Sequence, residues 1–331
     1  MEMEKILEFR NYSLVYRGRN SGKVYALNNI SFSISRGETI GIAGESGSGK
    51  STLCRSILRI FRPWETDSPT GSVFFKGENV LDMRPDELQK IRGGEIAMLF
   101  QHPYMSFNPV MKIGRQIKDV MELHGCEKDI QEILLSCGLE TRVIDMYPHN
   151  MSGGMLQRAQ LALALATGAE IIIADEPTTS LDACSQFEVI KLLRGLVFEK
   201  KLTLIFVSHN LRLIKYLTSR TLVFYGGFLV EEGPSDEVFK NPLHPYTRYL
   251  LDCVPGRGAS PVSADETPRG LRSAPLRGSG KFSVSIPGLP PEMTKKIAGC
   301  PFFERCPQKT DVCRGEVPFK RQFHKVKCFY A

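Results

Sequence analysis

Apolar and polar residues change their period several times along the chain. From Ile6 to about Ile34, alternating segments such as Leu7–Phe9, Leu14–Tyr16 and Ile30–Ile34 predict antiparallel strands, with turns at Arg17–Lys23. Thr39-Ile40-Gly41-Ile42-Ala43 reads as a buried strand, a glycine-rich turn follows, and Thr52 to Phe61 has helical spacing. Ser72–Phe75 is a further strand, and Arg84-Pro85-Asp86-Glu87-Leu88 opens a helix with proline at an early position. Between Gln101 and Met151 the strand signal fades, while Ile117–His124 and Lys128–Cys137 look helical, which predicts a helical subdomain over about 101–157. Strands return at Ile171–Ala174, Thr203–Val207 and Thr221–Tyr225, separated by helices, the alternation of a parallel sheet with crossovers. From Gly256 to about Gly288, Gly, Pro, Ser and Arg dominate, as in a linker or loosely packed arm. The expected fold is α/β, with an antiparallel β subdomain and a helical subdomain in residues 4–255 and a small cysteine-rich extension in 256–331.

The 331 residues suffice for one large or two modest domains. No apolar run approaches the roughly 18 to 20 residues that cross a bilayer, and the start Met1-Glu2-Met3-Glu4 lacks a basic n-region, so the chain is expected in the cytoplasm. The net charge of +7 is unevenly placed. From Gly256 onward there are 14 Lys and Arg against 6 Asp and Glu, so the tail carries the whole excess. Such a tail suits an anionic surface, a nucleic acid or a negatively charged metal cluster, or is simply a solvated basic face.

Gly44-Glu45-Ser46-Gly47-Ser48-Gly49-Lys50-Ser51-Thr52 matches the phosphate-binding loop pattern between the strand and helix that it requires. Its backbone N–H groups would surround phosphate oxygens at a helix N-terminus. Lys50 would reach the β- and γ-phosphates, and the Ser51 hydroxyl would ligate Mg²⁺. Ile171-Ile172-Ile173-Ala174-Asp175-Glu176 delivers two carboxylates at a strand end: Asp175 to hold Mg²⁺, Glu176 to polarise the attacking water.

At this point the residues resemble the ATP-binding subunits of ABC transporters, from about Glu4 to Cys253. Met151-Ser152-Gly153-Gly154-Met155 looks like the family's signature, with Met155 where glutamine is commoner, and Ser152 is expected to cap a helix from about Met155 to Ala166. The resemblance implies that this signature faces the γ-phosphate on a second ATP-binding subunit, so that two subunits sandwich two nucleotides. It also assigns Gln101 to Mg²⁺, the attacking water and the membrane-facing interface, Asp182 in Ser180-Leu181-Asp182 to the dimer contact, and His209 to the γ-phosphate. The adenine normally stacks on an aromatic residue ahead of the phosphate loop; Tyr16 is the choice, with Tyr25 beyond the Arg17–Lys23 insertion as its rival.

Phe100-Gln101-His102-Pro103-Tyr104-Met105-Ser106-Phe107-Asn108-Pro109, His244-Pro245-Tyr246-Thr247 and Ile286-Pro287-Gly288-Leu289-Pro290-Pro291 resemble the peptide and nickel importer branch, although His102 and Phe107 are less usual there. For its chemistry His244 reads as a polar turn residue. The branch implies a second, different ATPase subunit, two membrane permeases and an extracytoplasmic binding protein, with this chain peripheral at the cytoplasmic face of the plasma membrane and no nucleic acid bound. Import of nickel or another small solute is an alternative cargo.

Nine cysteines fall into two sets. Cys54, Cys126, Cys137, Cys184 and Cys253 read as reduced, mostly buried thiols. Cys300, Cys306, Cys313 and Cys328, separated by five, six and fourteen residues, lie among basic and aromatic side chains. Structural zinc prefers ligand pairs two to four residues apart, whereas wider loops suit a larger cluster. The resemblance implies a 4Fe–4S cluster, its charge offset by Arg305, Arg314, Lys320, Arg321, Lys325 and Lys327; zinc, two disulfides or free thiols are the alternatives. His324 is a possible substitute ligand but reads as structural.

Two other classes compete with the transporter subunit. A soluble ABC ATPase working on ribosomes or DNA would suit the basic tail, but the chain has one phosphate loop, and about fifty residues between Gln101 and Ser152 leave no room for a long coiled-coil arm. An iron–sulfur sensor with a vestigial ATPase is disfavoured because every hydrolytic residue is present.

Overall fold

A computed structural model describes residues 4–18, 22–62, 64–179, 181–254, 286–320 and 323–331. The expected linker falls largely at 255–285, and Ser180 and Arg321 likewise lie outside the described residues. The chain begins with strands β1 (Lys5–Arg17), β2 (Lys23–Ser35) and β3 (Thr39–Ala43), then helix α1 (Lys50–Ile57). Strands β4 (Thr70–Phe75) and β5 (Glu78–Asn79), helix α2 (Pro85–Ile91) and strand β6 (Ile96–Leu99) follow. Helices α3 (Ile113–Leu123), α4 (Ile130–Ser136) and α5 (Gly153–Ala166) lead into β7 (Ile171–Asp175), α6 (Ala183–Glu199), β8 (Thr203–Val207) and α7 (Leu211–Leu217). The end comprises β9 (Arg220–Tyr225), β10 (Phe228–Pro234), α8 (Ser235–Lys240), α9 (Pro245–Asp252) and the short β11 (Lys325–Val326).

The first segment differs from expectation in its continuity. Leu7–Phe9 and Leu14–Tyr16 belong to one thirteen-residue strand that pairs antiparallel with a second of equal length. Asn11 and Asn29 take positive φ (48° and 50°), and the pairing shifts register around them, so the alternation breaks although the strands continue. With β4 and β5 they form a four-stranded sheet of order β2-β1-β4-β5.

The larger sheet has order β11-β10-β9-β3-β8-β7-β6, with parallel pairing from β9 through to β6. It is buried on both faces. Ile171 and Ile173 of β7 enter a core shared with the small sheet and α1, whereas Ile172 and Ala174 enter a second core with α5 and α6. This explains why the strands read as unbroken apolar runs.

The first helix after the phosphate loop begins at Lys50 and ends at Ile57, short of Phe61, because Arg59 turns the chain with φ 48°. The helix capped by Ser152 starts at Gly153, two residues earlier than expected, since both glycines adopt helical backbone under that cap. The tail holds the least expected element. Its β11 pairs with β10 (Glu231 opposite Val326, Glu232 opposite Lys325) and thereby extends the central sheet.

Candidate functional site

The sheet order creates the candidate nucleotide site. Strand β8 lies between β3 and β7, so the carboxyl ends of three neighbouring strands bring Gly44–Thr52, Ser208–His209 and Asp175–Glu176 together. Gly44 needs its φ of 150° and its missing side chain: a Cβ there would stand 2.2 Å from the Phe224 carbonyl oxygen. Gly49, with φ 102°, leads into α1, and a Cβ on it would lie 2.5 Å from the Ala26 carbonyl oxygen. Ser46 and Gly47 form the turn between them, and nothing stands within 4 Å of where a Gly47 Cβ would be.

Lys50 is buried beneath the loop and donates to the carbonyl oxygens of Gly44 (2.9 Å) and Glu45 (2.8 Å). Burial pushes its ammonium pKa down, against the pull of Glu176 and Asp175. The Ser51 hydroxyl donates to Asp175 Oδ1 at 3.0 Å. Burial pushes the Asp175 carboxyl up, opposed by that hydrogen bond. Glu176 holds a positive φ of 49°, with its N–H on the Val207 carbonyl, and its Oε2 accepts from Thr179 Oγ1 at 3.1 Å. His209 Nδ1 lies 3.4 Å from the same oxygen, on a largely exposed ring. A hydroxyl–carboxylate pair and a carboxylate–imidazole pair thus flank one helix N-terminus rich in N–H donors, an arrangement that suits a metal-bound polyphosphate and a polarised water.

Tyr16 meets this site from the small sheet. Its hydroxyl is 3.5 Å from Thr52 Oγ1, and its ring packs edge-on against Phe61. The Tyr25 N–H is bound to the Met293 carbonyl, so Tyr25 lies next to the tail. Gln101 is exposed at the end of β6, next to a surface bearing Phe100, Tyr104, Met105 and Val110.

The signature stands apart from the phosphate loop. Ser152 Oγ accepts the Met155 N–H at 3.3 Å. The side chain nearest a Gly153 Cβ would be Leu181, 3.2 Å away, and that nearest a Gly154 Cβ would be Ser185. Asp182 caps α6 by accepting from Cys184 and Ser185 N–H groups, both at 3.0 Å.

Cys300, Cys306, Cys313 and Cys328 line one small cavity together with His244, Phe303 and Lys309. None of the nine cysteines is in a disulfide. Burial pushes the Cys300 thiol up to about 12 and raises that of Cys306. Among the described residues no three of the His, Cys, Asp and Glu groups gather closely enough to hold a single metal ion. His244, read from sequence as a polar turn residue, is fully buried. Its Nδ1 caps α9 by accepting the Tyr246 N–H, and its Nε2 is a buried atom with no partner. His324 Nε2 donates to Glu231 Oε1 at 2.7 Å, and His324 does not line the cavity.

The expected set of balancing cations is corrected in part. Arg305 points at Glu45, Lys325 pairs with Glu232, Arg314 lies over the Phe303 ring beside Asp311, and Lys320 donates to the Phe329 carbonyl. Lys327 lies within electrostatic reach of Cys300, Lys309 lines the cavity, and Arg321 lies outside the described residues. Of the five cysteines expected to be mostly buried, Cys54 and Cys137 are buried, Cys126 and Cys253 are partly buried, and Cys184 is exposed near the start of α6. The sequence reading missed that Tyr225, Tyr246 and Arg305 all reach the phosphate loop region. The one signal was the aromatic content of His244-Pro245-Tyr246-Thr247.

Comparison with known proteins agrees with this geometry. The family model described as "ABC transporter" matches residues 27–179, and that of the "Oligopeptide/dipeptide transporter, C-terminal region" matches 230–279 and 269–313. The chain is 36% identical over 335 residues to the "Probable peptide ABC transporter ATP-binding protein y4tR" of Sinorhizobium fredii, covering 98% of this chain and 94% of the relative. It is 37% identical over 315 residues to the "Dipeptide transport ATP-binding protein DppD" of Lactococcus lactis, covering 92% and 84%. Among solved structures, an ATP-binding cassette dimer in a post-hydrolysis state with ADP and Pi matches with TM-score 0.60 at 29% identity, over 69% of this chain and 98% of that one. The chain belongs to the ABC transporter family of ATP-hydrolysing subunits, in the group that carries the oligopeptide/dipeptide transporter C-terminal region.

Proposed function

We propose that this protein powers the import of di- or oligopeptides through a membrane permease, as one of two ATP-binding subunits. The supporting observation is the joining of two features in one body: the strand-end nucleotide site and a peptide-transporter-type tail paired into the same sheet. Lys50 and the N–H groups of Gly44–Thr52 bind the phosphates. Ser51, Asp175 and Gln101 would hold Mg²⁺, which would neutralise phosphate charge. Glu176 takes a proton from the attacking water, and His209 orients that carboxylate and contacts the γ-phosphate. Tyr16 carries the adenine.

Ser152, Gly153 and Gly154 complete the nucleotide site of a second subunit, which the resemblance implies is a different chain, and Asp182 lies at the contact. Gln101 and the helical part at about 101–157 face two permeases through Phe100, Tyr104, Met105 and Val110, with an extracytoplasmic binding protein beyond the membrane and no nucleic acid. Residues 4–255 are the ATP-binding unit and 256–331 its extension, at the cytoplasmic face of the membrane. Among the described residues no helix is long and apolar enough to cross it. The Glu176→Gln protein is expected to hold ATP in a closed pair of subunits, eluting at twice the mass with little turnover; undiminished hydrolysis would refute the assignment.

The cysteine cavity fits a thiolate-bound 4Fe–4S cluster, with zinc as the alternative. Four thiols converge on it, and the orphaned His244 Nε2 lines it as well. With Nδ1 already accepting, the neutral ring carries its hydrogen on Nε2. A cluster spreads its ligands over separate irons, whereas zinc draws four to one centre. Cys300, Cys306, Cys313 and Cys328 would hold it, and it would pin the tail to the sheet. Anaerobically purified protein is expected to be brown, with about four irons and four sulfides per chain; a colourless preparation holding one zinc per chain overturns the cluster.

A further inference from the structure

Glu45, the second residue of the phosphate loop, is held at every polar group. Its N–H donates to the Tyr246 hydroxyl at 2.8 Å. Its carbonyl oxygen accepts from Lys50 Nζ and from the Ser48 N–H. Its carboxylate receives a two-pronged contact from Arg305, Nη1 to Oε2 at 2.9 Å and Nη2 to Oε1 at 3.2 Å. Arg305 directly precedes Cys306 in the extension, and its side chain is only 5% exposed. Nε donates to the Pro287 carbonyl (2.7 Å), Nη2 to the Ile286 carbonyl (3.2 Å) and Nη1 to the Tyr225 hydroxyl (3.0 Å). Phe302, fully buried on the same turn, packs against Tyr225 and Tyr246.

A guanidinium has five N–H donors in a rigid fork, and here that fork is committed to two tail carbonyls, a core tyrosine and the loop carboxylate. So complete a commitment fixes the position of the loop relative to the tail. It also fixes the Glu45 carbonyl, on which Lys50 rests, and the start of the N–H row that follows. A surface ion pair would contribute little, but this one is largely withdrawn from water and bidentate.

We propose that Arg305 is a positioning residue of the ATP site. Acting from the cysteine-rich extension through Glu45, it holds the phosphate loop and Lys50 ready for the nucleotide, so that the tail sets ATP affinity. This rests on Gly44–Thr52 being the ATP site. The Lys50→Ala full-length protein tests that reading separately, because it should lose nucleotide binding while keeping the tail contact.

The experiment is a double-variant cycle on the full chain with Arg305→Gln, Glu45→Gln and the pair, measuring the Kd of a fluorescent ATP analogue and the KM and kcat of hydrolysis. Each single variant is expected to weaken nucleotide affinity by about fivefold or more, the lower end of site-to-site coupling, with kcat little changed. The pair should lose no more than either alone, and Arg305→Lys should recover part of the affinity. If Arg305→Gln does not fold, Glu45→Gln alone decides, since its side chain is on the rim and unchanged in size. Unaltered affinity in Glu45→Gln, losses that add in the pair, or a lowered Tm with unchanged KM would each overturn the proposal.

Discussion

Several residues here are defined by what their backbone or burial forces on them. Glu176 carries φ 49°, a region that costs a non-glycine residue of the order of 1 kcal/mol or more and persists where the surroundings over-determine it. Here the Val207 carbonyl holds its N–H, and the carboxylate is thereby turned towards Thr179 and His209. The cysteines outside the tail show the opposite situation. Cys54 and Cys137 are buried and their thiols are pushed up by burial, Cys137 to about 11, whereas Cys184 is exposed. Alkylation needs the thiolate and access to it. Brief iodoacetamide treatment of native protein at pH 8, followed by peptide mass mapping, should therefore label Cys184 and leave Cys54 and Cys137 unmodified until denaturant is added.

The tail gains its place through an element of two residues. A strand as short as β11 has little stability of its own; it is fixed by Lys327 N–H on the Val230 carbonyl and by the carboxylate of Glu231, which is fully buried. Glu231 accepts from the Leu243 and His244 N–H groups, at 2.9 and 2.8 Å, and faces His324. Removing such an acceptor leaves two buried donors unpaired, each costing about 1–3 kcal/mol. Glu231→Ala is expected to lower unfolding stability by about 2 kcal/mol or more in a urea titration and to expose the residues after 286 to protease. The long hairpin of β1 and β2 shows how sequence patterns mislead at this scale. Bulges at Asn11 and Asn29 shift the facing of side chains, so two strands read as several.

At the level of the whole molecule, the Gly153 backbone lies against Leu181, and the phosphate loop lies at the end of another strand. If the proposed pairing of subunits holds, a change at the signature disables a site on another chain. Gly153→Asp is expected to leave the Kd for nucleotide of the isolated chain unchanged and to reduce turnover by about two orders of magnitude, as loss of a transition-state donor does. Equal losses in both measurements would place the signature at its own chain's nucleotide.

Much of this architecture was legible in advance. The continuous apolar run of Ile171–Ala174 marks a strand buried on both faces, and the glycine spacing of Gly44–Thr52 marks a loop whose backbone needs positive φ and space. Both are local requirements, so neighbouring residues alone express them. Helix starts were less legible at Gly153-Gly154, where a cap outweighs the poor helical preference of glycine.

What the sequence determined by itself were the elements, the chemistry of the nucleotide motifs and the presence of four thiols near one another in the chain. Only the tertiary structure decided that β8 lies between β3 and β7, that the tail adds a strand to the same sheet, and that Arg305 reaches Glu45 across 260 residues. The reason is physical: periodicity and turn chemistry are set within a few residues, whereas strand order and buried ion pairs are set by which distant surfaces can be desolvated together.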